Sequence, residues 1–301
     1  MAVRQIENEA LCVTIEDKGA ELVSVIEKSS GRERIWNADP KVWNRHAPIL
    51  FPFVGTVTDG VYRHGGKEYP MKSRHGFARD SVFACTEAMP GQMSHVLVSD
   101  AHTKEIYPFD FELRVTHLLD SENLRMLTVR WEVRNTGSDR MYYSIGGHPG
   151  FVVPGREGEE RADYFLYIPG RQELNYYLVN MESGLFMNDK SYRLPLDHGL
   201  VPIAPDMFDR DALVLEDVPD VLGIASPDQK PFVTMHCEGF THAGIWSAPK
   251  GNFVCLEPWM GRTDNEGFTG TLEEKQGICS LAAGEAAEYH YTVEFHEGEP
   301  S

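Results

Sequence analysis

The sequence predicts an all-β protein, a large antiparallel β-sandwich, and three observations carry that prediction. The first is strict alternation: Leu127, Val129, Trp131 and Val133 alternate with Thr128, Arg130 and Glu132, and the run stops at Asn135-Thr136-Gly137-Ser138. Tyr289, Tyr291, Val293 and Phe295 repeat the pattern near the C-terminus, between Glu288, His290, Thr292 and Glu294. Such runs read as strands with one face in a core. The second is the recurrence of short apolar runs, at 11–15, 21–26, 81–86, 111–118, 164–168, 232–237 and 253–256, with turn residues between them. The third is that no long helical period occurs; the best helix candidates are single turns at 40–44 and 205–210.

Residues 1–301 read as one domain. A chain of this length buries about 75% of the surface its unfolded form exposes, and all-β domains often reach this size as one unit. Neither a repeat, a low-complexity tract nor a linker interrupts the pattern. The stretch 155–163, rich in Gly, Glu and Arg, reads as a surface excursion.

The formal net charge of −18 argues against nucleic acid or an anionic membrane as partner, since both need clustered cations. Five cysteines, Cys12, Cys85, Cys237, Cys255 and Cys279, are scattered and odd in number, which fits reduced thiols in a cytoplasmic protein better than a disulfide framework. The N-terminal residues lack the apolar core of a signal peptide, and no apolar run approaches a membrane span. The expectation is a soluble, cytoplasmic protein.

Four segments break the strand pattern with polar groups. In Tyr142-Tyr143-Ser144-Ile145-Gly146-Gly147-His148-Pro149-Gly150-Phe151 an apolar strand runs into glycines and a proline, so His148 would leave a sheet edge where backbone can approach a ligand. Arg74-His75-Gly76-Phe77-Ala78-Arg79-Asp80 sets a histidine and two arginines around a glycine. Phe208-Asp209-Arg210-Asp211-Ala212-Leu213 ends a polar turn against an apolar strand. Phe253-Val254-Cys255-Leu256-Glu257-Pro258-Trp259 puts a carboxylate at a strand end between apolar neighbours, where desolvation raises a carboxyl toward the range of a general base. Each segment also has a structural reading: a turn histidine, a surface histidine, a turn-capping aspartate and an exposed strand-end glutamate.

Taken together, His75-Gly-Phe-Ala-Arg79, Gly146-Gly-His148-Pro-Gly-Phe151, Asp211-Ala-Leu213 and Leu256-Glu257-Pro258-Trp259 resemble the aldose 1-epimerase (galactose mutarotase) superfamily, most closely its LacX-like branch. The resemblance spans nearly the whole chain, from Asp17-Lys18-Gly19-Ala20-Glu21-Leu22 to the last strand. It implies a β-supersandwich, a cofactor-free sugar site without a metal, and a small-molecule sugar as partner to a monomer or homodimer. Glu257 matches the family's general base, His148 its general acid, and His75 and Asp211 its substrate-binding groups. The implied reaction interconverts the anomers of a free hexose by ring opening and reclosure. For His148 to donate near neutral pH, neighbouring carboxylates would have to lift its value modestly above about 6.5. Trp246 and Trp259 offer aromatic faces to the C–H side of a sugar, although core packing is the commoner role for either.

One position departs from the resemblance. After Gly55 the family pattern has an arginine that helps bind sugar hydroxyls, and here Thr56 stands there. Arg79, rather than Arg45, is the expected replacement. Arg45, His46, Arg63, Arg74 and Arg79 would together form a patch for a hexose 6-phosphate, a second substrate class. A sugar-binding protein without turnover stays open, as does a glycoside-cleaving enzyme with Asp211 and Glu257 as paired carboxylates. The last option, a metal site at His236, Glu238 and His242, lacks an evident third ligand on one strand face.

Overall fold

Alternating runs leave each strand with one apolar face, and in this protein two large antiparallel sheets bury those faces against each other. The computed structural model describes residues 2–297. One sheet has nine strands, in the order Leu200–Pro202, Phe165–Tyr167, Val221–Ala225, Pro231–His236, Ala286–Phe295, Met126–Asn135, Phe111–Leu119, Gln92–Val98 and Ala84–Met89. At its centre Met126–Asn135 pairs with Ala286–Phe295 on one side and Phe111–Leu119 on the other. Leu127, Val129, Trp131 and Val133 are buried, while the residues between them are only partly covered, as the alternation requires.

The second sheet runs Phe186–Pro195, Glu173–Val179, Leu213–Leu215, His242–Trp246, Phe253–Met260, Ile145–Gly147 and Ile49–Leu50, with Gly150–Val152 also paired to Phe253–Met260. A smaller four-stranded sheet is built from Val3–Glu7, Leu11–Glu16, Glu21–Glu27 and Arg32–Glu33. Gly147 records how closely the two large sheets approach. A Cβ there would lie 3.0 Å from Tyr291 and 3.3 Å from Trp131, both on the nine-stranded sheet. Gly146, one residue earlier, faces the other way, and a Cβ on it would come within 2.5 Å of Trp259. The two glycines therefore make room for the protein's own rings on both sides of a strand, not for a ligand against the backbone as the sequence suggested.

Other expectations shift in detail. The 81–86 run starts its strand only at Ala84, because the carbonyl of Ser81 and the amide of Phe83 bond to the chain at Gly19 and Asp17 instead. Both 40–44 and 205–210 are turns, and the one α-helix among the described residues lies at Ala101–Ile106. Its signal is Asp100, whose carboxylate accepts from the Thr103 amide in a capping box. The 253–256 run continues to Met260, so Glu257 sits inside a strand and not at its end. All five cysteines are unpaired, and no helix among the described residues is long and apolar enough to cross a membrane.

The core also holds histidines. His117, on Phe111–Leu119, is buried with Nδ1 lacking a hydrogen-bond partner, and burial, then the nearby His95, pulls its pKa down to about 3. Between that value and about 6.5 the unfolded chain binds a proton that the folded chain refuses, so stability is lost as pH falls below about 6.5. His117→Leu is expected to flatten this loss by about 1 kcal/mol per pH unit in that window. Urea unfolding at two pH values on either side of 6 measures it, and an unchanged slope would refute the account.

Candidate active site

Glu257 and His148 meet because two neighbouring segments keep one register along the same strand. Ile145 and Gly146 stand opposite Met260 and Trp259, while Gly150, Phe151 and Val152 stand opposite Cys255, Val254 and Phe253. No residue is gained or lost between the two segments, so His148 falls opposite Glu257. The ladder is nevertheless broken there. Pro149 and Pro258 carry no N–H, and the His148 amide turns away to donate to the carbonyl of Pro48 at 3.1 Å. Directly opposed residues share a face of the sheet, and His148 Nε2 lies 3.3 Å from Glu257 Oε2.

The next strand keeps this face open. Gly244 pairs with Glu257, and a Cβ on Gly244 would strike the Trp259 ring at 2.5 Å and crowd the Glu257 carboxyl at 3.4 Å. The space over these residues is a cleft of about 270 Å³. The structure brings His75, His148, Asp211, Glu257, Arg79 and Trp246 together on its walls. Asp209, the other aspartate of its turn, is exposed and lies outside the lining.

Aromatic rings fix the imidazole. Trp43 stacks on His148 with centroids 4.9 Å apart, and His75 and Trp246 meet it edge-on at 5.6 Å each. His75 adopts φ 67°, and its Nδ1 accepts from the Gly55 amide at 3.0 Å. That bond requires the proton of a neutral His75 ring to be on Nε2. Burial, and then Arg74, hold the His75 pKa well below its usual value, so the ring stays neutral.

Electrostatics within the pair overturn one expectation. No rise lifts His148; burial, followed by Arg74, pulls its pKa down to about 3. Glu257 moves the other way: burial raises it well above the usual carboxyl value against the pull of Arg74. Trp259 sits near enough to favour the carboxylate, yet its Nε1 makes no hydrogen bond, and Glu257 Oε2 and His148 Nδ1 also lack partners. Burial thus works against both charges and drives the pair toward its neutral form, with the proton on the carboxyl. Low-dielectric surroundings account for this, since they penalise a charge on either group.

Arg74 and Trp43 also line the cleft; the sequence reading had placed Arg74 only in the phosphate patch and did not single out Trp43. Arg74 sat beside His75 in the motif, but sequence neighbours usually point apart, and only the turn at His75 and Gly76 brings both to one wall. Trp43 follows a polar turn that carried no signal. The expected five-residue basic patch does not form. Arg45 pairs with Asp80, His46 faces Glu21 and Arg63 pairs with Glu68, leaving Arg74 and Arg79 in the cleft. Thr56 lies behind the wall, where Thr263 Oγ1 accepts from its amide and donates to its carbonyl.

His236 and Glu238 are exposed, and His242 is buried near Glu216, so that proposed trio forms no cluster. The donor atoms of His148, Cys255 and Glu257 do lie within 4.8 Å of one another. Burial, with Glu257 nearby, holds the Cys255 thiol protonated.

Comparison with known proteins follows the same lines. A family model described as aldose 1-epimerase matches residues 3–182. Protein LacX (chromosomal) of Lactococcus lactis subsp. lactis is 28% identical over 298 residues, covering 96% of this chain and 98% of its own. The X-ray structure of a galactose mutarotase related enzyme from Lactobacillus acidophilus is 30% identical, with a TM-score of 0.90 and 98% of each chain covered. A galactose mutarotase-like protein from Lactobacillus casei ATCC 334 is also 30% identical, with a TM-score of 0.88, covering 98% of this chain and all of the other.

The raised Glu257 pKa has a consequence for stability. From about 4.5 upward the unfolded chain gives up a proton that the folded chain keeps, so stability falls as pH rises toward the folded value. Glu257→Gln lacks that fall and is expected to be more stable than wild type at pH 7 by about 1 kcal/mol or more, with the gap closing near pH 4. Thermal unfolding at the two pH values checks this; a variant less stable at pH 7 would contradict it.

Proposed function

The chain belongs to the aldose 1-epimerase family, and from that premise we propose that it interconverts the α and β anomers of a free hexose, with Glu257 as general base and His148 as general acid. The observation that carries the reading is the register-opposed pair, 3.3 Å apart, facing a cleft of about 270 Å³. The two oxygens that must exchange protons, O1 and the ring O5, hang on the same carbon. Two groups this close reach both in one pose.

The reaction starts from the ionised form of the pair, Glu257 carboxylate and His148 imidazolium. Glu257 takes the proton of O1–H as the C1=O1 bond forms. The C1–O5 bond breaks, and its electron pair goes to O5, which takes the proton of His148. Rotation about C1–C2 presents the other face of the aldehyde. Reclosure returns the O5 proton to His148 and the Glu257 proton to O1. After ring opening the pair is neutral, the form that burial favours, so the cleft stabilises the open-chain state relative to the charged start. His75 and Asp211, with Arg79, bind the sugar hydroxyls, and Trp246 gives an apolar face to its C–H side.

A second reading has a specific observation behind it: Arg74 and Arg79 bring two guanidinium groups to an otherwise neutral or acidic cleft, which suits a hexose 6-phosphate. Rates with glucose, galactose and glucose 6-phosphate decide between the two.

Anomer exchange of α-glucose and α-galactose, followed by polarimetry or saturation-transfer NMR, tests the proposal. Glu257→Gln and His148→Asn are each expected to lose about 10²- to 10⁴-fold in kcat while staying folded. Unaltered exchange in either variant removes that residue's role, and sugar binding without any exchange supports a binding protein instead. The pH profile gives a separate check. Because burial resists a second proton on the pair, kcat/KM is expected to hold steady as pH falls through 6.5; an acid limb at the ordinary histidine value would contradict the shared-proton scheme.

A further inference from the structure

Arg74 is the cleft residue whose surroundings ask for a ligand. Its side chain is 45% exposed, and its guanidinium makes no hydrogen bond with another described residue. The neighbouring carboxylate, Asp211 Oδ2, lies 3.5 Å from Nη2, which is too long for a hydrogen bond. The two are a loose ion pair, one group all donor and the other accepting, with no direct hydrogen bond between them. A sugar hydroxyl both donates and accepts, so it can bridge them, while the guanidinium fork also matches two hydroxyls on adjacent carbons.

Position supports this use. The chain turns through φ 67° at His75 and 73° at Gly76, so Arg74 and His75 reach one cleft although they are adjacent in sequence. Asp211, at φ 70°, is held by its own turn, with its Oδ1 accepting from the Ala212 amide. After burial, Arg74 is the largest influence on the charge state of both His148 and Glu257. Its Cζ also shares a small volume with residue 56. The point where a Cβ on Gly184 would sit is 3.9 Å from Arg74 Cζ and 2.6 Å from Thr56 Oγ1. A long side chain at 56 would compete for the space the guanidinium fills.

We propose that Arg74 and Asp211 form a clamp that fixes the sugar over Glu257 and His148, and that the small Thr56 side chain leaves the volume Arg74 needs. Arg74 is then a specificity-determining residue for the sugar hydroxyls, and its position is exchangeable with an arginine at 56. This inference rests on the anomer-exchange reading.

The test uses the full chain and four proteins: wild type, Arg74→Gln, Arg74→Lys, and the double variant Arg74→Gln with Thr56→Arg. Exchange and equilibrium binding are measured with glucose, galactose and glucose 6-phosphate, beside the unfolding temperature. Arg74→Gln is expected to raise KM by about 10- to 100-fold with a smaller change in kcat and no loss of fold, since one or two charge-assisted hydrogen bonds disappear. Arg74→Lys, which keeps the charge but not the fork, recovers only part of that loss. The double variant recovers more, because an arginine from 56 enters the vacated volume. Arg74→Gln with wild-type KM overturns the clamp, and a double variant no better than Arg74→Gln overturns the shared volume. A wild type that neither exchanges nor binds any of the three sugars overturns the functional reading, and the inference with it.

Discussion

An unbroken register across a broken ladder is the constraint on which the rest of this structure depends. Two prolines, Pro149 and Pro258, remove amide donors from a sheet that otherwise pairs on both sides of them, yet the residue count is the same on each side. Were one residue inserted, the side-chain period of two would turn His148 to the opposite face, toward Trp131 and Tyr291, and no pair would form. The glycines serve the same end. Gly146 and Gly147 let Trp259 on one side and the nine-stranded sheet on the other close to within ring contact, and that packing holds the segment in place. Rigidity here comes from the core: Glu257 stands inside Phe253–Met260, and His148 stands in the two-residue gap between Ile145–Gly147 and Gly150–Val152, both of which pair with that strand.

Burial gives the pair its chemistry as well as its place. A carboxyl and an imidazole in water would each take its ordinary charge at neutral pH. Within the cleft neither charge is well solvated, so burial drives both groups, 3.3 Å apart, toward their neutral forms. Arg74 acts against burial at Glu257 and with it at His148, so it narrows the cost of the carboxylate while opposing the imidazolium. The cleft's cations thus help decide where the proton sits as well as what binds.

Much of the fold was legible because it depends on local periodicity. Leu127 to Val133 and Tyr291 to Phe295 show in sequence which face is buried, and the sheet pairs them accordingly. Glu257, His148, His75 and Asp211 were legible because each interrupts an apolar run in a motif with a family resemblance. Arg74 was legible only as a member of a phosphate patch and Trp43 not at all, since their entry into the cleft depends on a left-handed turn and on packing between distant segments. The length of the Glu257 strand was hidden by Pro258, which ordinarily ends a strand and here stands opposite a gap in pairing. The direction of the His148 shift was also beyond the sequence, because it follows from the depth of burial that only the assembled sheets create.

The central claim is that Glu257 and His148 hold one proton between them in a buried cleft, and infrared difference spectroscopy of the free protein tests it most directly. Comparing wild type with Glu257→Gln at pH 7, with glutamate carboxyls isotopically labelled, the account predicts a protonated-carboxyl band lost in the variant. A difference showing only ionised carboxylate at that position would contradict it.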